Sequence, residues 1–150
     1  MVAGRNFNER MAAMAISFGL WDIFFYVFLK VMIHWPASVF TWDILFLIPL
    51  PWVGPVLAPV LVSLTLIGGG LFSLHRGGLP AGGRAWAGMI LGGFVVILSF
   101  LWDWRNTMAG GLPNPFNWPL FAAGELMAVG AFIFAAKTRG YRGSQIPLGS

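Results

Sequence analysis

Cysteine is absent from the 150-residue chain, which excludes disulfides, thiolate metal sites, thiolate-held iron–sulfur clusters and c-type haem attachment. Charge is almost as scarce. Asp, Glu, Lys and Arg make up 9% of the residues while 58% are hydrophobic, whereas in soluble domains charged residues are roughly a quarter. A chain so poor in charge cannot clothe itself in a hydrated surface, so one integral membrane domain over residues 1–150 is expected. Histidine occurs only as His34 and His75. They fall at opposite ends of the expected spans and cannot grip one haem or metal from both sides. There is no Gly-rich phosphate loop, nucleophile elbow or His-rich zincin motif. No catalytic residue and no metal ligand is therefore assigned, and catalysis by this chain alone is not expected.

The charge that is present is uneven. Nine basic residues outnumber five acidic ones for a formal net charge of +4. The bases are spread over short separate segments instead of forming a patch, which points to anionic lipid headgroups and not to nucleic acid.

Long apolar runs dominate the rest. The stretch from Thr41 to Leu74 carries no charge after Asp43. As one helix it would measure on the order of 50 Å against a hydrocarbon core of about 30 Å, so it must be interrupted. Pro49, Pro51, Pro55 and Pro59 supply breaks, since each lacks an amide hydrogen and crowds the preceding turn. Residues 42–54 read as an apolar lead-in at or dipping into the membrane surface, and 55–74 as a span. A first span is expected at 11–33: that run is too long for a signal-peptide core, and its small residues Ala12, Ala13 and Ala15 lie at its start, whereas a cleavage site would follow its end. Further spans are expected at 85–102 and 119–136, the last opening on Pro119 in a favoured first-turn position. The fold class is thus an all-α membrane four-helix bundle with a proline-broken segment before its second helix. Gly88 and Gly92, four residues apart, suit a close helix crossing. The run Gly68, Gly69, Gly70 also reads as packing.

Orientation follows from Lys and Arg. Arg5, Arg10, Arg76, Arg84, Lys137, Arg139 and Arg142 lie on the N-terminus, the second connection and the C-terminal tail, while the other two connections keep Lys30 and Arg105. Both termini are expected in the cytoplasm, with the protein multi-pass in the plasma (inner) membrane.

Two features invite function. Asp22 and Glu125 lie well inside spans, where carboxylates are costly. Asp22 is twelve positions from Arg10 and Glu125 twelve from Lys137, so their depths match at roughly 18 Å. The same count from Arg76 brings Ser63 and Thr65 to that level, and Tyr26 lies one turn from Asp22. Asp22, Tyr26, Ser63, Thr65 and Glu125 form the expected polar layer, able to relay protons or bind a cation, or else to serve as packing glue. Asp43 and Asp103, each following a tryptophan, are expected at the outer interface, with Asp43 a candidate helix cap. The second feature is an excess of tryptophan at the outer edge. Trp35, Trp42, Trp52, Trp102, Trp104 and Trp118 lie there and Trp86 at the inner one, which suggests a docking surface in addition to an aromatic belt.

The reading that follows is an accessory or structural subunit of a larger membrane complex, respiratory or photosynthetic, with other membrane subunits and lipids as partners. A small proton- or cation-coupled transporter built on the carboxylate layer is the alternative, and a lipid-modifying membrane enzyme a third. No cofactor is assigned; a bound lipid, quinone or pigment stays open.

Overall fold

A computed structural model describes residues 7–78 and 82–143, with side chains through residue 137. In chain order the elements are α1 (Phe7–Ile33), β1 (Trp42–Phe46), β2 (Trp52–Pro55), α2 (Leu57–His75), α3 (Gly83–Leu101), α4 (Trp104–Met108) and α5 (Trp118–Gly143). The protein is mostly helical, and α1, α2, α3 and α5 are long and apolar enough to cross a membrane.

Helix α1 stops where His34 adopts a left-handed φ of 57°. The His34 amide still reaches the Lys30 carbonyl at 3.1 Å, and Pro36 then forbids another turn. Lys30 Nζ donates to the Pro36 carbonyl at 2.9 Å, tying the corner to the helix it leaves.

The all-α expectation needs one correction. Residues 42–54, expected as an apolar lead-in, contain strands: β1 and β2 pair as an antiparallel hairpin, with Trp42 opposite Pro55, Asp43 opposite Gly54 and Ile44 opposite Val53. Pro49 and Pro51 fall in the connection, where no ladder amide is needed, and the flanking aromatic and β-branched residues suit a pleated surface. Asp43 accordingly lies within a strand and caps no helix. The Val56 amide bonds to the Thr41 carbonyl at 3.0 Å and Leu57 to Val39 at 2.8 Å, so the hairpin base leads directly into α2. Pro59 breaks nothing, because it occupies the first turn of α2, where its missing donor has no intrahelical partner to lose.

Helix α5 is capped by Asn117, whose Oδ1 accepts the Leu120 amide at 3.1 Å. It runs through Gly143, so Lys137, Arg139 and Arg142 are helical and do not form a separate tail.

Packing divides the spans into two pairs. Helix α1 lies along α2 and α3 along α5, whereas α2 and α5 meet at few points. Both pairs rest on backbone approach that only glycine allows. A Cβ on Gly19 would sit 2.7 Å from the Ser63 carbonyl oxygen, and one on Gly70 2.8 Å from that of Ala12. In the other pair a Cβ on Gly92 would lie 2.6 Å from the Ala128 nitrogen and one on Gly88 2.7 Å from the Ala131 Cβ. The pairs join beside the β-hairpin, around Ala58, Val96, Phe100 and Phe121, with Trp52, Phe116 and Trp118 packed over them. At the opposite, basic end they touch through Phe72 and Phe132, ring centres 5.7 Å apart, and Phe7 and Trp86, 6.3 Å apart.

Candidate functional site

Between the two helix pairs lies a cavity of about 1160 Å³. All four spans contribute walls, and its length runs from Asp43 and Trp52 beside the β-hairpin to Arg76 and Lys137 at the basic end. The walls are largely aliphatic and aromatic. Gly68, Gly69 and Gly93 widen the interior: a Cβ on Gly68 or Gly93 would meet nothing within 4 Å. Of the Gly68–Gly70 run, Gly70 alone sits in tight helix contact.

Asp22 and Glu125 both line this space. Helix α2 supplies a hydroxyl to each: Ser63 Oγ donates to Asp22 Oδ2 at 2.8 Å, and Thr65 Oγ1 donates to Glu125 Oε2 at 3.0 Å. Two residues along a helix rotate a side chain by roughly 200°, so Ser63 turns to α1 while Thr65 turns to α5. The carboxyls therefore do not share a hydroxyl, and among the described residues no hydrogen bond joins them to each other. The second oxygen of each carboxyl has no hydrogen-bond partner among the described residues and is not enclosed by protein. Those oxygens are acceptors left free to bind something.

Tyr26, expected beside Asp22, uses its hydroxyl elsewhere. It donates to Asp43 Oδ2 at 2.8 Å, tying α1 to the β-hairpin at one end of the cavity, while Asp43 Oδ1 accepts the Ile44 amide at 2.8 Å. The bond spans 17 residues of sequence and depends on strand geometry, so no local spacing announces it.

The six tryptophans expected at the outer edge mostly pack against neighbouring side chains. Trp35 packs on Tyr26, Trp42 on Phe116, Trp52 on Phe46 and Trp118 on Phe116 and Phe121. Trp104 lies under the Arg105 guanidinium at 5.3 Å. Of the six, Trp102 is the exposed one, at 67%. Asp103 organises the neighbouring loop: its carboxylate accepts Asn114 Nδ2 at 2.7 Å, the Asn114 amide at 2.8 Å and Asn106 Nδ2 at 3.1 Å. Partial burial pushes this carboxyl's pKa up, but the three donors outweigh it and hold the group below the ordinary aspartate value.

His34 and His75 stand at opposite ends of the antiparallel α1 and α2 pair. Among the described residues, no three His, Cys, Asp or Glu side chains are close enough to hold a metal ion.

Compared with known protein families, characterised proteins and solved structures, the chain matches none.

Proposed function

We propose that the chain is a four-span protein of the inner membrane, with both ends in the cytoplasm, that works as a small proton- or cation-coupled transporter. The observation that carries this reading is the pair of intramembrane carboxyls, Asp22 and Glu125, each anchored by a hydroxyl of α2 and each lining one cavity. A carboxylate facing lipid costs about 2.5–3.5 kcal/mol on insertion scales, and cavity exposure avoids much of that cost while leaving the group able to take up and release a cation. Clustering of Arg10, Arg76, Arg84 and Lys137 at the end opposite the β-hairpin supports the orientation.

The test uses the purified full chain in liposomes holding a pH-sensitive dye, with a pH gradient imposed and Na⁺, K⁺ or an organic cation on the opposite side. Dissipation should exceed that of empty liposomes with at least one cation, and Asp22→Asn or Glu125→Gln should slow it tenfold or more. Wild-type liposomes that behave as empty ones with every cation refute the reading.

A second reading, an accessory subunit of a larger membrane complex, draws on the thin contact between α2 and α5, a gap that a partner subunit's helix could fill. Mild-detergent purification from the native membrane separates the two. A stable hetero-complex supports the subunit reading, and a chain that elutes alone or with its own copies supports the transporter.

A further inference from the structure

We infer that the cavity between the helix pairs binds a monovalent lipophilic organic cation, an amine or quaternary onium carrying aromatic or alkyl groups. The inference rests on the same reading of the Asp22 and Glu125 cavity and adds the chemical class of its occupant.

The charges that face the cavity set the sign. From α1 come Asp22 and Tyr26, from β1 Asp43, from the residue that follows α2, Arg76, and from α5 Glu125 and Lys137; among the cavity-lining residues α3 brings no charged side chain. Both bases lie at one end, Arg76 just past the last residue of α2 and Lys137 at the end of the apolar part of α5. Over the stretch between that end and the β-hairpin, the ionisable groups are acids and one phenol. A cation is the charge complement of that stretch.

The shape of the cation follows from the walls. A bare metal ion needs about six or more oxygen ligands to replace its hydration shell. Asp22 and Glu125 each offer one free oxygen, and no cluster of three ligating side chains stands nearby among the described residues. An organic cation spreads its charge over more volume, sheds water more easily and places apolar groups on apolar walls. The aromatic rings are suited to it. Phe18, Trp21 and Phe25 follow one another along the α1 wall with ring centres 6.0 and 6.1 Å apart, whereas the Phe72 ring at the basic end already carries the Arg76 guanidinium at 5.0 Å. Aromatic faces attract cations even at partly exposed sites, and Phe18, Trp21 and Phe25 are 48%, 60% and 44% exposed. A volume of about 1160 Å³ exceeds the roughly 300–1,000 Å³ usual for sites that enclose drug-sized ligands, so size is no obstacle.

Tetraphenylphosphonium is the probe, and neutral triphenylphosphine oxide is the control for simple partition into apolar space. Binding to the purified full chain in lipid nanodiscs is followed by quenching of tryptophan fluorescence, since Trp21, Trp52 and Trp86 line the cavity. The expected result is saturable binding of the phosphonium at least tenfold tighter than that of the oxide. Asp22→Asn and Glu125→Gln should each weaken it by tenfold or more. Affinity should also fall as pH is lowered, by up to about tenfold per unit, because protons compete with the cation for the same oxygens. If a variant does not fold, the pH dependence and the cation-to-neutral ratio of the unaltered chain decide the matter. Equal affinity for the cation and the oxide, or cation binding untouched by pH and by both substitutions, overturns the inference. Carboxyl-dependent proton flux with Na⁺ or K⁺ but no phosphonium binding defeats this inference and leaves the transporter reading standing. Carboxyl-dependent binding without flux does the reverse.

Discussion

Replacing Gly92 by alanine adds one methyl group at the tightest point between α3 and α5. The new Cβ would lie 2.6 Å from the Ala128 nitrogen, 2.7 Å from the Gly124 carbonyl oxygen and 2.8 Å from the Ala128 Cβ. Backbone atoms cannot rotate aside as a side chain can, so the helices must separate by several tenths of an ångström along a contact that Gly88 and Gly124 share. Overpacking of this kind costs about 1–3 kcal/mol. Against that stands the gain from exchanging glycine for alanine in a helix interior, about 0.5–1 kcal/mol. Gly130 on α5 isolates the second effect, because a Cβ there meets nothing within 4 Å. Gly130→Ala should therefore stabilise slightly, Gly92→Ala should destabilise, and the two should differ by about 1–3 kcal/mol, the overpacking cost alone, since the gain from alanine is common to both. Reversible unfolding of the purified protein in mixed micelles, titrated with sodium dodecyl sulfate, measures that difference. Equal midpoints for the two variants would show that α3 and α5 do not cross at Gly92, and the cavity built on that crossing would lose one wall.

Three shorter predictions concern other parts of the fold. Tyr26→Phe removes the donor to Asp43 while keeping the ring; it should cost about 1 kcal/mol and speed hydrogen exchange of the β1 amides, and unchanged exchange would mean that the bond does not hold the hairpin to α1. Asp103 has a depressed pKa, so its contribution to stability is fully present above the unfolded value of 3.8 and is lost as pH falls through the lower folded value. Exchange protection at the Asn114 amide should therefore persist at pH 5 and fade below pH 3.8, whereas fading well above 3.8 would contradict the bonding described. For orientation, cysteines introduced singly as Asn114→Cys and Ser144→Cys should differ toward an impermeant thiol reagent applied outside intact cells: the first should label and the second should not, and the opposite pattern inverts the proposed topology.

What the sequence discloses divides along physical lines. Spans are readable because an apolar run of about twenty residues has few stable alternatives in lipid, and the prolines at 49 and 51 rightly forbid one helix from Trp42 to Leu74. A proline rule says where a helix cannot be but not what replaces it, and the β-hairpin went unread for that reason. Position along the helices is readable too, since counting from a basic boundary puts Ser63 level with Asp22 and Thr65 level with Glu125, the partners that their hydroxyls bond. Azimuth around the bundle is not, because it depends on which helices become neighbours. One azimuthal fact nevertheless lies in the sequence. Ser63 and Thr65, two positions apart, point to nearly opposite sides of any α-helix. They could never have served a single shared carboxylate pair, and α2 must stand between the groups they bond. That separation has a chemical consequence. Two carboxyls in direct contact would hold one proton between them, whereas two anchored on different neighbours of α2 can each bind or release a cation on their own. In the transporter proposed above, proton and substrate would occupy the cavity in turn without either carboxyl leaving its hydroxyl.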